Sequence, residues 1–142
     1  MTEDRRRADD DRHDALRMAD ALDRRRALEA RQAGELCARF AQDAVAAGIA
    51  PEPLTARAYS GRGRYRTPLH GWYLKRDRSV AVGTDGMFYV MQCAGGLAER
   101  LRGATVPPAD APLELGRGAR DGESLPLTEA LANRLAAGNS WG

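Results

Sequence analysis

Apolar positions along the chain change their period twice, and each change marks an element. Met18, Leu22, Ala33, Leu36, Phe40, Ala44 and Ala47 recur at helical spacing on one stripe. Alanine, leucine, arginine, glutamate and glutamine dominate this stretch, and no proline occurs before Pro51. The spacing predicts a long helix from about Asp14. Arg26 and Glu29 interrupt the stripe, so the half from about residue 30 to 47 is expected to dock on a core and the first half to project. Gly48, Ile49 and Pro51 form the stop: a glycine that accepts left-handed backbone, an apolar contact, and a residue that cannot continue a helix.

From residue 55 to 92 the period shortens to two. TARAYS, GWYLKR, SVAV and MFYVMQ read as antiparallel strands, with RDRS and GTDG as turns. In the last run Met87, Tyr89 and Met91 alternate with Phe88 and Val90, so both faces are apolar and cover is expected on both sides. The docked helix covers one face; the C-terminal segment or a second subunit is required for the other. AGGLAERLRG makes a helical turn or two between glycines. Residues 104–126 are rich in proline and glycine, with a short strand at Leu113–Leu115. LTEALANRLAAG closes the chain as a short helix, with Thr128 as N-cap and Gly138 as its terminating glycine. The fold class is therefore α+β: a long N-terminal helix packed on a three- to four-stranded antiparallel meander, then a Pro/Gly-rich segment and a short C-terminal helix.

Charge refines this plan at two places. Residues 1–13 mix arginine and aspartate with almost no apolar content, and read as a charged, disordered arm outside a single domain spanning 14–142. The 142 residues suit one domain, and the net charge is only +2. Yet residues 56–78 hold seven cations against one acid. Of the 22 basic residues only Lys75 is lysine, which matches the codon bias of a GC-rich genome, so position carries more weight than number.

In extended backbone Arg62, Arg64 and Arg66 share one face. With Tyr65, Tyr73, Lys75, Arg76 and Arg78 they form a basic and aromatic surface for a partner or for single-stranded nucleic acid, with guanidinium forks on phosphates and tyrosines stacking on bases. The competing reading is a solvated face whose arginine stems cover a strand. No RNP, helix-turn-helix or zinc-finger pattern is present. The projecting half of the helix offers a second surface, with Leu16, Met18, Leu22 and Leu28 as an oligomer interface, though their spacing sustains no heptad.

Catalytic motifs are missing from the sequence. His70 sits beside Pro68 and Gly71 without an evident partner, His13 lies in the arm, and Asp85 belongs to a turn. Ser60, Ser79 and Ser124 lack a nucleophile context. Cys37 and Cys93 read as buried free thiols, and their spacing to the histidines matches no metal pattern. GRGARDGE, residues 116–123, is a turn-rich loop more than a phosphate cradle, because proline precedes it and no helix opens on it. No metal, cofactor or small-molecule substrate is expected, and no run of apolar residues is long enough to cross a membrane. The charged start MTEDRRRADDDRHD lacks the apolar centre of a signal peptide and points to the cytoplasm. The sequence thus predicts a small non-catalytic accessory or scaffold protein that acts by protein–protein binding, with a homodimer as one form. The alternative is a single-stranded nucleic-acid binder using residues 62–78.

Overall fold

A computed structural model describes residues 2–116 and 124–141. The phosphate-loop question therefore lies outside the described residues from Arg117 onward. Helix α1 runs from Thr2 to Ala46, 45 residues without a break. It takes in the stretch expected to be a disordered arm. Alternating charge blocks of helix-tolerant residues continue its backbone, and Glu3 and Asp4 place negative charge at the positive end of the helix dipole. Every residue from 2 to 29 is exposed, and burial begins with Ala33. The helix ends as the stop signal predicts. Gly48 takes φ +73°, and the Ile49 amide reaches back to the Ala44 carbonyl at 2.9 Å. Ile49 is buried beside the helix.

The sheet departs from a plain meander. Its strands are β1 (Glu52–Ala58), β2 (Arg64–Tyr73), β3 (Val80–Gly83), β4 (Phe88–Val90) and β5 (Gln92–Cys93). The order across the sheet is β4-β3-β2-β1-β5, antiparallel except for the parallel β1–β5 pair. β4 and β5 stand at opposite ends of that order, yet only Met91 separates them in the chain. One residue of extended chain spans about 3.5 Å, so the two ends of the sheet must meet. Met91 makes the join: its amide donates to the Ser79 carbonyl at 2.9 Å, and its carbonyl accepts from the Arg57 amide at 2.9 Å. The sheet therefore closes on itself as a small barrel.

Closure supplies the cover that MFYVMQ demands. Alternate residues turn inward: Leu54, Ala56, Tyr73, Ala81, Tyr89, Met91 and Cys93 fill the barrel together with Ala104 and Val106. The residues between them, Trp72, Leu74, Val82 and Phe88, turn outward beneath α1. The inner face is filled without a second subunit, while Met87 and Val90 stay exposed. Helix α2 (Leu97–Arg102) follows, and the chain after it pairs the Ala104 amide with the Arg66 carbonyl at 2.7 Å. Strands β6 (Glu114–Leu115) and β7 (Leu125–Pro126) form a two-residue ladder. Helix α3 (Leu127–Ala137) begins directly after Pro126, so Thr128 lies inside it instead of capping it. It packs against the docked half of α1.

β2 also joins two segments that period-two reading separates. The pattern suggests a turn at Pro68–Gly71, but the strand runs straight through. Proline has no amide to give the ladder, and the β1–β2 register shifts between Pro53 and Thr55. Thr67 repairs the gap. Its hydroxyl donates to the Leu54 carbonyl at 2.7 Å and accepts from the Leu69 amide at 3.2 Å. At the far end of the molecule Asn139 ties the two helix termini together. Its amide oxygen accepts from Ala50 N–H at 2.9 Å, and its amide nitrogen donates to the Gly48 carbonyl at 3.1 Å.

Candidate functional site

The structure divides the basic stretch into three groups. Arg62 stands exposed on the turn between β1 and β2. Its neighbour Arg57 folds back on that turn, with Nη2 donating to the Gly61 carbonyl at 3.2 Å. Arg64 is committed to the protein itself. Its Nε donates to Thr55 Oγ1 and its Nη2 to the Thr55 carbonyl, both at 2.7 Å. The fork thus braces β1 against β2. Arg66 is exposed on the same strand face, as period two requires.

Tyr65 and Tyr73, the two rings expected to stack on bases, pack against the inner cluster. Tyr65 is half-buried against the barrel interior. Tyr73 is buried within it, and its hydroxyl accepts the Thr55 amide at 2.8 Å.

Lys75, Arg76 and Arg78 sit on the turn after β2. Lys75 approaches Asp77 at 3.8 Å. Partial burial pushes the Asp77 carboxyl up, but two hydrogen bonds from Ser79 and the charges of Lys75 and Arg64 outweigh it, so its pKa falls below the usual value. Arg78 adopts φ +60°, which lets the turn close. Arg76 lies over an aromatic ring that the sequence reading passed by: its guanidinium carbon is 5.4 Å from the centroid of Trp141. A second guanidinium, that of Arg134 on α3, lies 5.0 Å from the same ring. Attraction between cation and π-face favours both contacts.

Arg76, Arg78 and Trp141 line an open cleft of about 450 Å³, with Glu52, Thr55 and Tyr73 on its other walls. Arg134 is only 4% exposed. Its Nη1 donates to the Gly138 carbonyl at 2.7 Å, while its Nε is buried without a partner among the described residues. Burial lowers the pKa of Arg134, and the charge of Glu52 opposes that shift. Trp141, Arg134 and Glu52 are the site residues the sequence left unmarked. The one available signal was a tryptophan shortly past the terminating Gly138, at a place where an apolar ring needs a reason.

The projecting part of α1 is the second surface. Leu16 is 63%, Met18 68%, Leu22 48% and Leu28 52% exposed. A helix turns by about 100° per residue. Met18 and Leu22 therefore share a face, while Leu16 and Leu28 lie about 120° to either side of Leu22. The structure does not bring the four onto one stripe. Charge is equally unspent along this segment. Arg17 and Asp14, at 2.7 Å, form the only ion pair within it among the described residues.

The remaining reactive groups are held by the fold. The Asp85 carboxylate accepts from the Met87 amide and the Tyr89 hydroxyl and so fastens the β3–β4 turn. Burial and the bond to Asp85 raise the Tyr89 pKa to about 12. Burial raises the Cys37 thiol to about 11, so it is neutral and inert at neutral pH. His70 is exposed on β2, and its carbonyl accepts from the Thr84 amide. Among the described residues no group of three histidine, cysteine or acidic side chains is placed to hold a metal. None of their helices is long and apolar enough to cross a membrane. The chain matches no protein-family model, no curated protein and no solved structure.

Proposed function

We propose that the protein is a non-catalytic accessory or scaffold protein whose projecting helix is its association surface, with self-association as one form. The observation that carries this reading is the exposed stretch 2–29 of α1. An isolated helix is marginal in water unless an amphipathic face is buried or its charges are paired. Here the body of the protein buries none of it, and among the described residues Asp14 and Arg17 form the one ion pair within it. Binding to another polypeptide satisfies both demands, and the half-apolar centre around Met18 and Leu22 gives it a dry contact.

Sedimentation equilibrium tests the reading. The full chain is expected at twice its 15.4 kDa mass. A chain lacking residues 2–25, which leaves Arg26 and Glu29 in the groove they share with residues 110–114, is expected at a single mass with an unchanged melting temperature. A full-length protein that stays at single mass up to high concentration would remove self-association.

The cleft at Trp141 favours a second reading, binding of single-stranded nucleic acid by Arg62, Arg66, Arg76 and Arg78. A half-buried ring at a cleft wall, beside the Arg76 guanidinium, is a place for a base to stack while the neighbouring cations meet phosphates. Fluorescence anisotropy of a labelled oligonucleotide is then expected to lose affinity steeply with salt. Changing Arg62, Arg66 and Arg76 together to alanine should weaken it by on the order of tenfold or more. Affinity untouched by that triple change rules the surface out.

A further inference from the structure

We infer that the projecting helix pairs with the same helix of a second copy of this chain, antiparallel, about a point between Arg17 and Met18. The inference rests on the association reading above and gives it a partner and a geometry. It comes from the order of charges on a helix the structure leaves bare. When two copies run antiparallel through that point, the aspartate block 9–11 lies level with the arginine block 24–26 of the mate. Arg12 lies level with Asp23, Arg6 with Glu29, and Asp4 with Arg31. Wherever two charged residues are level, their signs are opposite. Twofold symmetry repeats each pairing on the other side.

Neighbouring alignments lose this property. A shift of one residue one way sets Asp11 level with Asp23 and Asp14 with Asp20. A shift the other way sets Arg12 level with Arg24 and Arg5 with Arg31. A parallel, in-register pair puts every charge beside its own like. The favoured alignment also centres the segment His13–Leu22, which holds Met18 and most of the exposed apolar side chains of the arm, on its own copy. An ordinary single helix could use such blocks for pairs three or four residues apart. Among the described residues only Asp14 and Arg17 do so, and the long arginines of the two blocks point into solvent, within reach of a second copy.

Charge reversal in the full-length protein decides it. Variant one carries Arg24→Glu, Arg25→Glu and Arg26→Glu; variant two carries Asp9→Lys, Asp10→Lys and Asp11→Lys. Each alone sets like charges against each other and should self-associate at least about 100-fold more weakly, since the three pairs between the blocks, repeated on the other side by the twofold, turn from attraction to repulsion. Circular dichroism checks that each stays folded, as fully exposed positions allow. Mixed together, variant one's aspartates meet variant two's arginines, and variant one's glutamates meet variant two's lysines. A one-to-one heterodimer should return with near wild-type affinity and weaken as salt rises. If either variant still self-associates like wild type, or if the mixture does not pair, the antiparallel alignment is overturned while self-association stands. If the wild-type chain is itself monomeric, the association reading falls with it.

Discussion

Replacing Trp72 with alanine is expected to cost about 3–5 kcal/mol of stability. The ring is fully buried at the middle of the contact between barrel and helix. It meets Phe40 of α1 edge to face, with ring centroids 5.7 Å apart and planes at 88°, a geometry that adds to simple burial. Its Nε1–H donates to the Ile49 carbonyl at 3.1 Å, just past the point where α1 stops. One side chain thus fixes the helix laterally through Phe40 and longitudinally through its end. Urea unfolding should show a lower midpoint with the slope unchanged. Trp72→Phe separates the two roles. It keeps most of the apolar contact and removes the donor, for about 1–2 kcal/mol. A loss below 1 kcal/mol for the alanine variant would mean that the helix does not seat on the barrel through this ring.

Gly71→Ala should be at least as damaging, although it adds a single carbon. A Cβ at this position would lie 2.1 Å from the Val82 carbonyl oxygen and 2.7 Å from the Gly83 α-carbon. Both are backbone atoms of β3, where Gly83 is the ladder partner of Gly71 and Val82 that of Trp72. Backbone in a paired strand cannot swing aside as a side-chain tip can, so relief requires the β2–β3 pairing to open. The cost is expected at about 4 kcal/mol or more, the range reached when a packed centre is forced apart. In a chain of this size that lowers the melting temperature by about 10 °C or more. Gly34→Ala is the control. It sits on α1 with nothing within 4 Å of the added carbon, and should raise stability by about 0.5–1 kcal/mol because alanine favours the helix. Equal melting temperatures for the two variants would contradict the close approach of the strands.

The reading of α1 and of the outward core came through because those features are periodic. Phe40, Ala44 and the Gly48–Pro51 stop all act within a few turns of one helix, and Trp72 and Phe88 follow the alternation of single strands. Closure of the sheet was invisible for the opposite reason. It depends on Met91 making hydrogen bonds through its backbone in two directions, and a methionine in an apolar run carries no mark of that. The continuity of β2 was hidden by Pro68 and Gly71, which ordinarily signal a turn; the compensating hydroxyl of Thr67 acts on a neighbouring strand and has no local pattern. The cleft was missed because Arg134 and Trp141 lie far in sequence from Arg76. Only the packing of α3 beside α1 brings the C-terminal ring to the β2–β3 turn. The arm was judged by its lack of apolar residues, which measures whether a segment can bury itself and says little about whether charge alternation can sustain a helix.

The join at Met91 gives the barrel a latch of one residue. Losing its two hydrogen bonds would release β4 from one side and β5 from the other in the same motion, baring two strand borders together. Slow amide exchange at Met91 and Arg57 should therefore vanish as a unit, and the tendency of the protein to clump on heating should track how often that latch slips.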